Sequence, residues 1–248
     1  MRAVLRFYAE LKDFLADDNP SGRVVHEFDV PGGVKDAIEG HGVPHTEVDV
    51  IIANGESVGF DYRLSDGDRI SVYPVFESFD ISPIVRVRPE PLRETRFVLD
   101  THLGRLARHL RLLGFDTAYS NGASDHGLVE MSTGEHRILL TRDVGLLKHS
   151  AVTHGYFIRS TDPEEQMLEV VRRFHLSDRL RPFTRCLECN QLLQGASADQ
   201  VRRLAPPRVL ERHDEFRHCP GCDRLYWPGT HHRRLEQLVE LATKAEDS

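Results

Sequence analysis

The sequence predicts an α/β protein built in three successive parts. Three observations lead there: an opening set of strand-like segments around one short helix, a middle stretch in which strands and helices alternate, and a final third that holds all four cysteines of the 248-residue chain. A chain of this length accommodates two or three compact units of roughly 100–150 residues each. Its composition, 40% hydrophobic and 29% charged, is that of a globular protein. No apolar run approaches the ~20 residues of a membrane-spanning helix. The opening MRAVLRFYAELKDF carries charges where a signal peptide needs an apolar core. The expectation is a cytoplasmic protein with no membrane partner.

In the first part, residues 3–8 and 24–30 read as strands, the second alternating in period two. Pro31-Gly32-Gly33 then breaks the chain, and Val34, Ala37 and Ile38 line one face of a helix that ends near Gly40-His41-Gly42. Residues 48–53 form a buried-looking strand running into Asn54-Gly55, a strong hairpin signal. Asp66-Gly67-Asp68 turns the chain into a last strand over 69–74. The order ββαββ around a single helix is a β-grasp, and through its hairpin and its D-G-D turn the segment 1–80 resembles the ubiquitin-like sulfur carriers. Those carriers act through a free C-terminal Gly-Gly, whereas this chain continues through Val75-Phe76-Glu77-Ser78. The resemblance therefore implies the fold without the carrier chemistry, and an interaction module for a protein partner is expected. Acidity is concentrated here: residues 1–80 carry 7 Lys+Arg against 16 Asp+Glu, a net of −9, while the chain as a whole stands at −7. An acidic module of this kind is expected to cover a basic groove.

Residues 81–95 contain Pro83, Pro89 and Pro91 among alternating charges, the composition of an extended linker. From Arg96 the pattern changes. Phe97-Val98-Leu99 reads as a short buried strand ending at Asp100, and residues 102–114 form an amphipathic helix with Leu103, Leu106, Ala107, Leu110 and Leu113 on one face, closed by Gly114. Residues 115–119 supply a strand, a helix follows around 125–133, and Ile138-Leu139-Leu140-Thr141 gives another buried strand, two residues before Asp143. Val144 opens a helix, residues 155–160 read as a strand, and Asp162-Pro163-Glu164-Glu165 opens a helix that reaches Phe174. Strands alternating with helices imply a mostly parallel sheet covered on both faces.

That pattern also locates chemistry. Ligands of open α/β sheets sit beyond the carboxyl ends of the strands, and Asp100, Asp143 and Asp162 each follow a strand. Converging carboxylates repel one another unless a hard cation neutralises them, which points to Mg²⁺ or Mn²⁺. Each aspartate has a plainer reading as the N-cap of the helix after it, Asp162 above all because Pro163 takes the first helical position.

The cysteines form two pairs, Cys186-Leu-Glu-Cys189 and Cys219-Pro-Gly-Cys222, 29 residues apart. Each CxxC turns the chain so that two thiolates face one point, and two such knuckles complete the tetrahedral sulfur sphere that zinc prefers. Disulfides do not suit a reducing compartment, and neither pair sits between a strand and a helix as a thioredoxin-type motif does. An iron–sulfur cluster is the other reading; paired knuckles at this separation favour zinc. With protein filling all four positions the metal is structural. Residues 181–235 thus read as a zinc ribbon, with Tyr226 and Trp227 as aromatic trim.

The segments FVLDTHLGRLARHLRLLGFDT, RILLTRD, DPEEQ, PFTRCLECN and HCPGCDRLYWPGTHHRR together resemble the Mut7-C RNase domain family, a PIN-type nuclease domain joined to a zinc ribbon, often preceded by a ubiquitin-like segment. The resemblance implies a ubiquitin-like domain over 1–80, a linker over 81–95, a PIN-like nuclease domain over 96–180, the ribbon over 181–235 and a C-terminal helix or tail over 236–248. It further implies a metal-dependent ribonuclease acting on single-stranded RNA, with Asp100, Asp125, Asp143 and Asp162 as the acids and Asp100 and Asp143 as the Mg²⁺ or Mn²⁺ ligands. Arg105, Arg108 and Arg142 are then candidates to hold phosphates, against the plain reading of solvated arginines. Related sequences read S-D-x-E where this chain has Ser124-Asp125-His126-Gly127. The missing glutamate leaves a second reading open, a non-catalytic RNA-binding or toxin–antitoxin-like regulatory protein.

Overall fold

A computed structural model describes residues 1–16, 19–74, 87, 95–229 and 232–245. Strand β1 (Arg2–Phe7) turns Ala3, Leu5 and Phe7 inward by simple alternation. It pairs antiparallel with β2 (Arg23–Glu27). Helix α1 (Val34–Gly40) buries Val34, Ala37 and Ile38, the three positions that its spacing marks. The hairpin between β3 (Val48–Ala53) and β4 (Glu56–Val58) adds a strand to the expected ββαββ order. Its Asn54 and Gly55 have φ of 52° and 98°, the pair of positive values that a two-residue type I′ turn requires. With β5 (Arg69–Pro74) the strands order as β2-β1-β5-β3-β4, β1 and β5 being parallel. Asp68, at the turn before β5, is a buried hub: it accepts from the Ser65 N–H at 2.7 Å, Asn54 Nδ2 at 2.8 Å and the Tyr62 hydroxyl at 3.1 Å.

The proline-rich segment expected as a linker lies outside the described residues apart from Val87 and Thr95. Beyond it, β6 (Arg96–Leu99), α2 (Gly104–Leu112) and β7 (Asp116–Tyr119) make a strand–helix–strand unit in which β6 and β7 are parallel, Phe97 opposite Thr117. A 3-10 turn over Thr101–Leu103 precedes α2, so the α-helix starts two residues later than the periodicity suggests. Gly114 ends it with φ of 97°, a Cβ there meeting the Arg181 carbonyl at 2.2 Å. The Phe115 N–H returns to the Leu110 carbonyl, the closing bond of a glycine-terminated helix. Helix α3 (Asp125–Gly134), strand β8 (Ile138–Thr141), the single-turn α4 (Val144–Leu147) and β9 (Gly155–Phe157) follow, β8 and β9 again parallel. The strand expected over 155–160 stops at Phe157 for a visible reason: both carboxylate oxygens of Glu169, on α5 (Pro163–Arg173), take the N–H groups of Arg159 and Ser160.

Between the two cysteine pairs lie the short strand β10 (Gln194–Gly195) and helices α6 (Ala198–Leu204) and α7 (Pro207–Leu210). Ser197 and Gln200 close α6 with a reciprocal capping box, and Pro207 opens α7 where a missing N–H costs nothing. Strands β11 (Arg217–His218) and β12 (Leu225–Tyr226) complete a small antiparallel sheet, β10-β11-β12. Helix α8 (His232–Thr243) ends the described chain, and the expected boundary at 235/236 falls inside it.

The chain separates into two compact units, Met1–Glu94 with Ser124–Phe157, and Thr95–Ala123 with Ile158–Ser248. In the first, buried polar contacts fasten the β-grasp to residues 148–157. His45 sets one ring nitrogen 2.6 Å from Glu39 Oε1 and the other 2.8 Å from the Val152 carbonyl. Lys148 Nζ donates to the Glu39 carbonyl, and the Phe157 N–H to the fully buried Glu47. In the second, α2 packs on α5 and α5 on α8, with Met167, Val170 and Val171 buried from α5.

Candidate metal centre

The two knuckles are built alike. In the first, the Cys186 N–H donates to the Gln191 carbonyl and the Asn190 N–H returns to the Cys186 carbonyl; in the second, Cys219 pairs with Arg224 and Asp223 returns to Cys219. Each therefore needs a left-handed residue just after its second cysteine, and Asn190 (φ 70°) and Asp223 (φ 57°) fill that place. Asparagine and aspartate tolerate this conformation best among residues bearing a Cβ. The signal was present as C-x-x-C-N and C-x-x-C-D.

All four sulfurs lie within 4.8 Å of one another, with Cys186 and Cys219 buried. Cys186 Sγ is 3.5 Å from Cys222 Sγ, and Cys189 Sγ is 3.2 Å from Cys219 Sγ. A tetrahedral zinc–tetrathiolate has sulfur–sulfur edges of about 3.8 Å, so the residues fit zinc as a closed structural site. The surroundings also suit the anionic form. Burial opposes ionisation of Cys186, yet the Tyr226 hydroxyl at 3.0 Å and neighbouring backbone N–H groups overcome it and bring the thiol down to about 6. The same crowding, burial first and the other thiols next, pushes Cys222 up to about 12, leaving the sulfurs competing for charge that a divalent cation would settle.

Outside the sulfurs, the first knuckle is sewn to β7. The buried Arg111 guanidinium donates to the carbonyls of Thr117 (3.0 Å), Leu187 (3.1 Å) and Glu188 (2.7 Å). Asn190 accepts from the Thr117 N–H at 3.0 Å and donates to Asp116 at 2.8 Å. The second knuckle is held by Asp223, which takes Arg203 through both oxygens and His218 Nε2 at 2.8 Å. These hydrogen bonds, Arg203 first and His218 next, hold the exposed Asp223 carboxyl far below the usual carboxylate range. Sequence reasoning missed Arg111, because two of its three partners are backbone carbonyls more than seventy residues away.

Each strand-end aspartate caps the helical turn after it, as the plainer reading of the sequence had it. Asp100 Oδ1 accepts from the Thr101 N–H at 2.5 Å, Asp143 Oδ1 from Gly145 at 2.6 Å, and Asp162 Oδ1 from Glu164 at 2.9 Å. Asp100 is buried, while Asp143 and Asp162 are exposed. Capping uses one oxygen; among the described residues no protein donor meets Oδ2 of Asp143 or Asp162. Asp125 is exposed on the first turn of α3, whose cap is Ser124. Gly127 consequently stands at the third helical position, where a glutamate would reach back to the Ser124 N–H, so the S-D-x-E pattern has a capping role independent of any metal. Of the arginines, Arg108 pairs with Glu188 at 2.5 Å, Arg105 is exposed without a side-chain partner among the described residues, and Arg142 is exposed beside Asp143.

A family model described as the Mut7-C RNAse domain matches residues 95–239, and one described as Mut7-C ubiquitin matches residues 1–80. Among solved structures, the crystal structure of SAMP1 from Haloferax volcanii is similar at 18% identity and a TM-score of 0.25, covering 31% of this chain and 97% of that one. No curated protein matches.

Proposed function

The chain belongs to the Mut7-C RNAse domain family, and from that membership we propose that it is a metal-dependent ribonuclease hydrolysing phosphodiester bonds of single-stranded RNA. The observation that carries the reading is the family match over 95–239. The strand-end aspartates support it, because Asp143 and Asp162 cap their helices with one oxygen and keep the other available. Asp100 and Asp143 are the proposed Mg²⁺ or Mn²⁺ ligands, with Asp125 and Asp162 completing the acidic set. When bound, such a metal lowers the pKa of a water and stabilises the departing oxygen. The capping bonds fix the rotamers of Asp100, Asp143 and Asp162, so these carboxylates are ordered in advance. Arg105 and Arg142 hold phosphate oxygens; Arg108 does so only on leaving Glu188. The cysteine centre binds zinc and supports the fold of the ribbon. The domain limits proposed are the ubiquitin-like domain at 1–80, the linker at 81–95, the nuclease domain at 96–180, the ribbon at 181–235 and the tail at 236–248. The ubiquitin-like domain serves a protein partner.

Incubating the zinc-loaded chain with end-labelled single-stranded RNA and Mn²⁺ tests the reading. Turnover should be lost in Asp100→Asn and Asp143→Asn; undiminished cleavage by both variants would remove these residues from the mechanism. One observation favours a second reading: Gly127 stands where an acid is expected. A non-catalytic RNA-binding or regulatory protein predicts binding that weakens steeply with salt and no cleavage at any metal concentration.

A further inference from the structure

Beside the cysteine centre lies a cleft of about 1070 Å³, formed wholly within the second unit by the β10-β11-β12 sheet, α6, α7 and the start of α8. We infer that this cleft binds unpaired nucleotides of an RNA strand, a base stacking on Trp227 and Phe216 and a phosphate resting on Arg217. The inference deepens the ribonuclease reading and rests on it for the choice of RNA: it says where the strand is gripped, apart from where it is cut.

Four half-buried aromatic side chains line the cleft, Phe183, Phe216, Tyr226 and Trp227. Two are committed elsewhere: the Tyr226 hydroxyl lies on Cys186 Sγ at 3.0 Å, and Phe183 packs against His232, the rings tilted at 40° with centroids 4.8 Å apart. Phe216 and Trp227 are tilted at 51° with centroids 6.5 Å apart, which leaves ring faces for a guest. Among the described residues nothing accepts the Trp227 indole N–H, and the exposed guanidinium of Arg217 has no acceptor. Arg217 lies on β11, paired opposite Tyr226 of β12, and Trp227 follows directly on Tyr226, so the free donors are one residue apart across the strand pair. A π face, an N–H donor and an unpaired cation together match a base with its backbone. The volume is that of a large ligand pocket, with room for more than one base.

Charge favours the same occupant. Residues 181–235 hold ten arginines against six carboxylates, a net of +4, in a chain whose first eighty residues stand at −9. Arg202, on α6, adds a second guanidinium to the lining, one already paired with Asp199. Asp214 and Glu215 line it as well; they repel phosphate but accept from the amino groups of base edges. An apolar peptide would offer these donors only its backbone carbonyls and would leave the Arg217 guanidinium without an anion, which a phosphate supplies.

Trp227 is the chain's only tryptophan, and its fluorescence reports on this cleft and on the smaller one of about 380 Å³ that it also lines; Phe216 and Arg217 line the first only, so their substitution tells the two apart. The zinc-loaded full chain is titrated without added Mg²⁺ or Mn²⁺ with a hexauridylate, a hexaadenylate, the matching DNA oligomers and an arginine-free apolar peptide, while anisotropy of labelled RNA measures total binding. Saturable change of the tryptophan emission by the nucleic acids is expected, tracking anisotropy. Arg217→Ala should weaken RNA binding about tenfold, and Phe216→Leu between about fivefold and a hundredfold, the worth of one base–aromatic stack. Both variants must keep a full zinc equivalent; if Phe216→Leu loses it, the surface substitution Arg217→Ala decides. RNA bound by anisotropy with silent Trp227 overturns the inference, as does an emission change produced by the peptide alone or no RNA binding at all. Turnover with Mn²⁺ but a silent Trp227 leaves the ribonuclease reading standing and removes the cleft; a responding Trp227 without turnover does the reverse.

Discussion

Replacing Arg111 by methionine removes a cation that holds β7 to the first cysteine knuckle, and its effect follows from three contacts. The guanidinium bonds the carbonyls of Thr117, Leu187 and Glu188 at 3.0, 3.1 and 2.7 Å. Bonds from a charged donor contribute about 1.5–3 kcal/mol each, and a buried carbonyl left without a donor costs about 1–3 kcal/mol. The three do not add. Leu187 is half-buried and Glu188 exposed, so water replaces the donor at both, whereas Thr117 is fully buried and water does not reach it. Methionine also fills much of the vacated volume. The expected loss is about 3 kcal/mol, a large share of the 5–15 kcal/mol by which domains are stable. Urea unfolding followed by circular dichroism should show the midpoint fall by roughly 1–1.5 M at a slope near 2 kcal/mol/M. Competition with a chromophoric chelator should show zinc held about 10–100-fold more weakly, as when groups supporting metal ligands are lost. Arg111→Lys, with one compact ammonium, should fall between. A loss under about 1 kcal/mol with unchanged zinc affinity would refute the coupling of strand and knuckle.

Three further outcomes are expected. Gly114→Ala should cost more than about 1 kcal/mol in the same unfolding assay, because φ is 97° and the new methyl would meet the Arg181 carbonyl at 2.2 Å; a neutral effect would mean the helix end relaxes freely. Asp68→Asn should lose about 1–2 kcal/mol at pH 7. Burial raises the Asp68 carboxyl, but its three hydrogen-bond donors outweigh burial and hold it below the usual range. Its contribution is therefore complete above the ordinary carboxylate value near ~3.9 and is lost as pH falls through the lower folded value. The gap between wild type and variant should close on acidification through that window, and a constant gap would contradict it. Gly127→Glu should stabilise by about 1 kcal/mol through helix propensity and the completed capping box, since a Cβ there would meet only Ser124 Oγ, at an ordinary contact distance of 3.5 Å. If Mn²⁺-dependent cleavage rises as well, the position has a metal role in addition to the cap; unchanged stability would contradict the capping account.

The larger elements were legible because their periodicity is local. Alternation in residues 2–7 and the spacing of Val34, Ala37 and Ile38 named the buried positions before any fold was known. The Asn54-Gly55 turn and the Gly114 helix end were legible for the same reason, since each depends on one residue's backbone freedom. What failed was non-local. The strand at 155 was read three residues too long because Glu169, on the next helix, captures the N–H groups of Arg159 and Ser160. At the metal centre the cysteines announced themselves by spacing, but Arg111 and its carbonyl partners lie apart in sequence and carry no motif. The strand-end aspartates were legible in position and ambiguous in meaning. The capping bonds of Asp143 and Asp162 account for one oxygen each and leave Oδ2 for the proposed ligand role.

Crystals of the zinc-loaded chain soaked in Mn²⁺, with anomalous scattering recorded at the manganese edge, test the aspartate site most directly. A manganese ion bound by both Asp100 and Asp143 is expected, with Asp125 or Asp162 adding a ligand, directly or through water. Manganese bound elsewhere, or absent from both aspartates at saturating concentration, would contradict it.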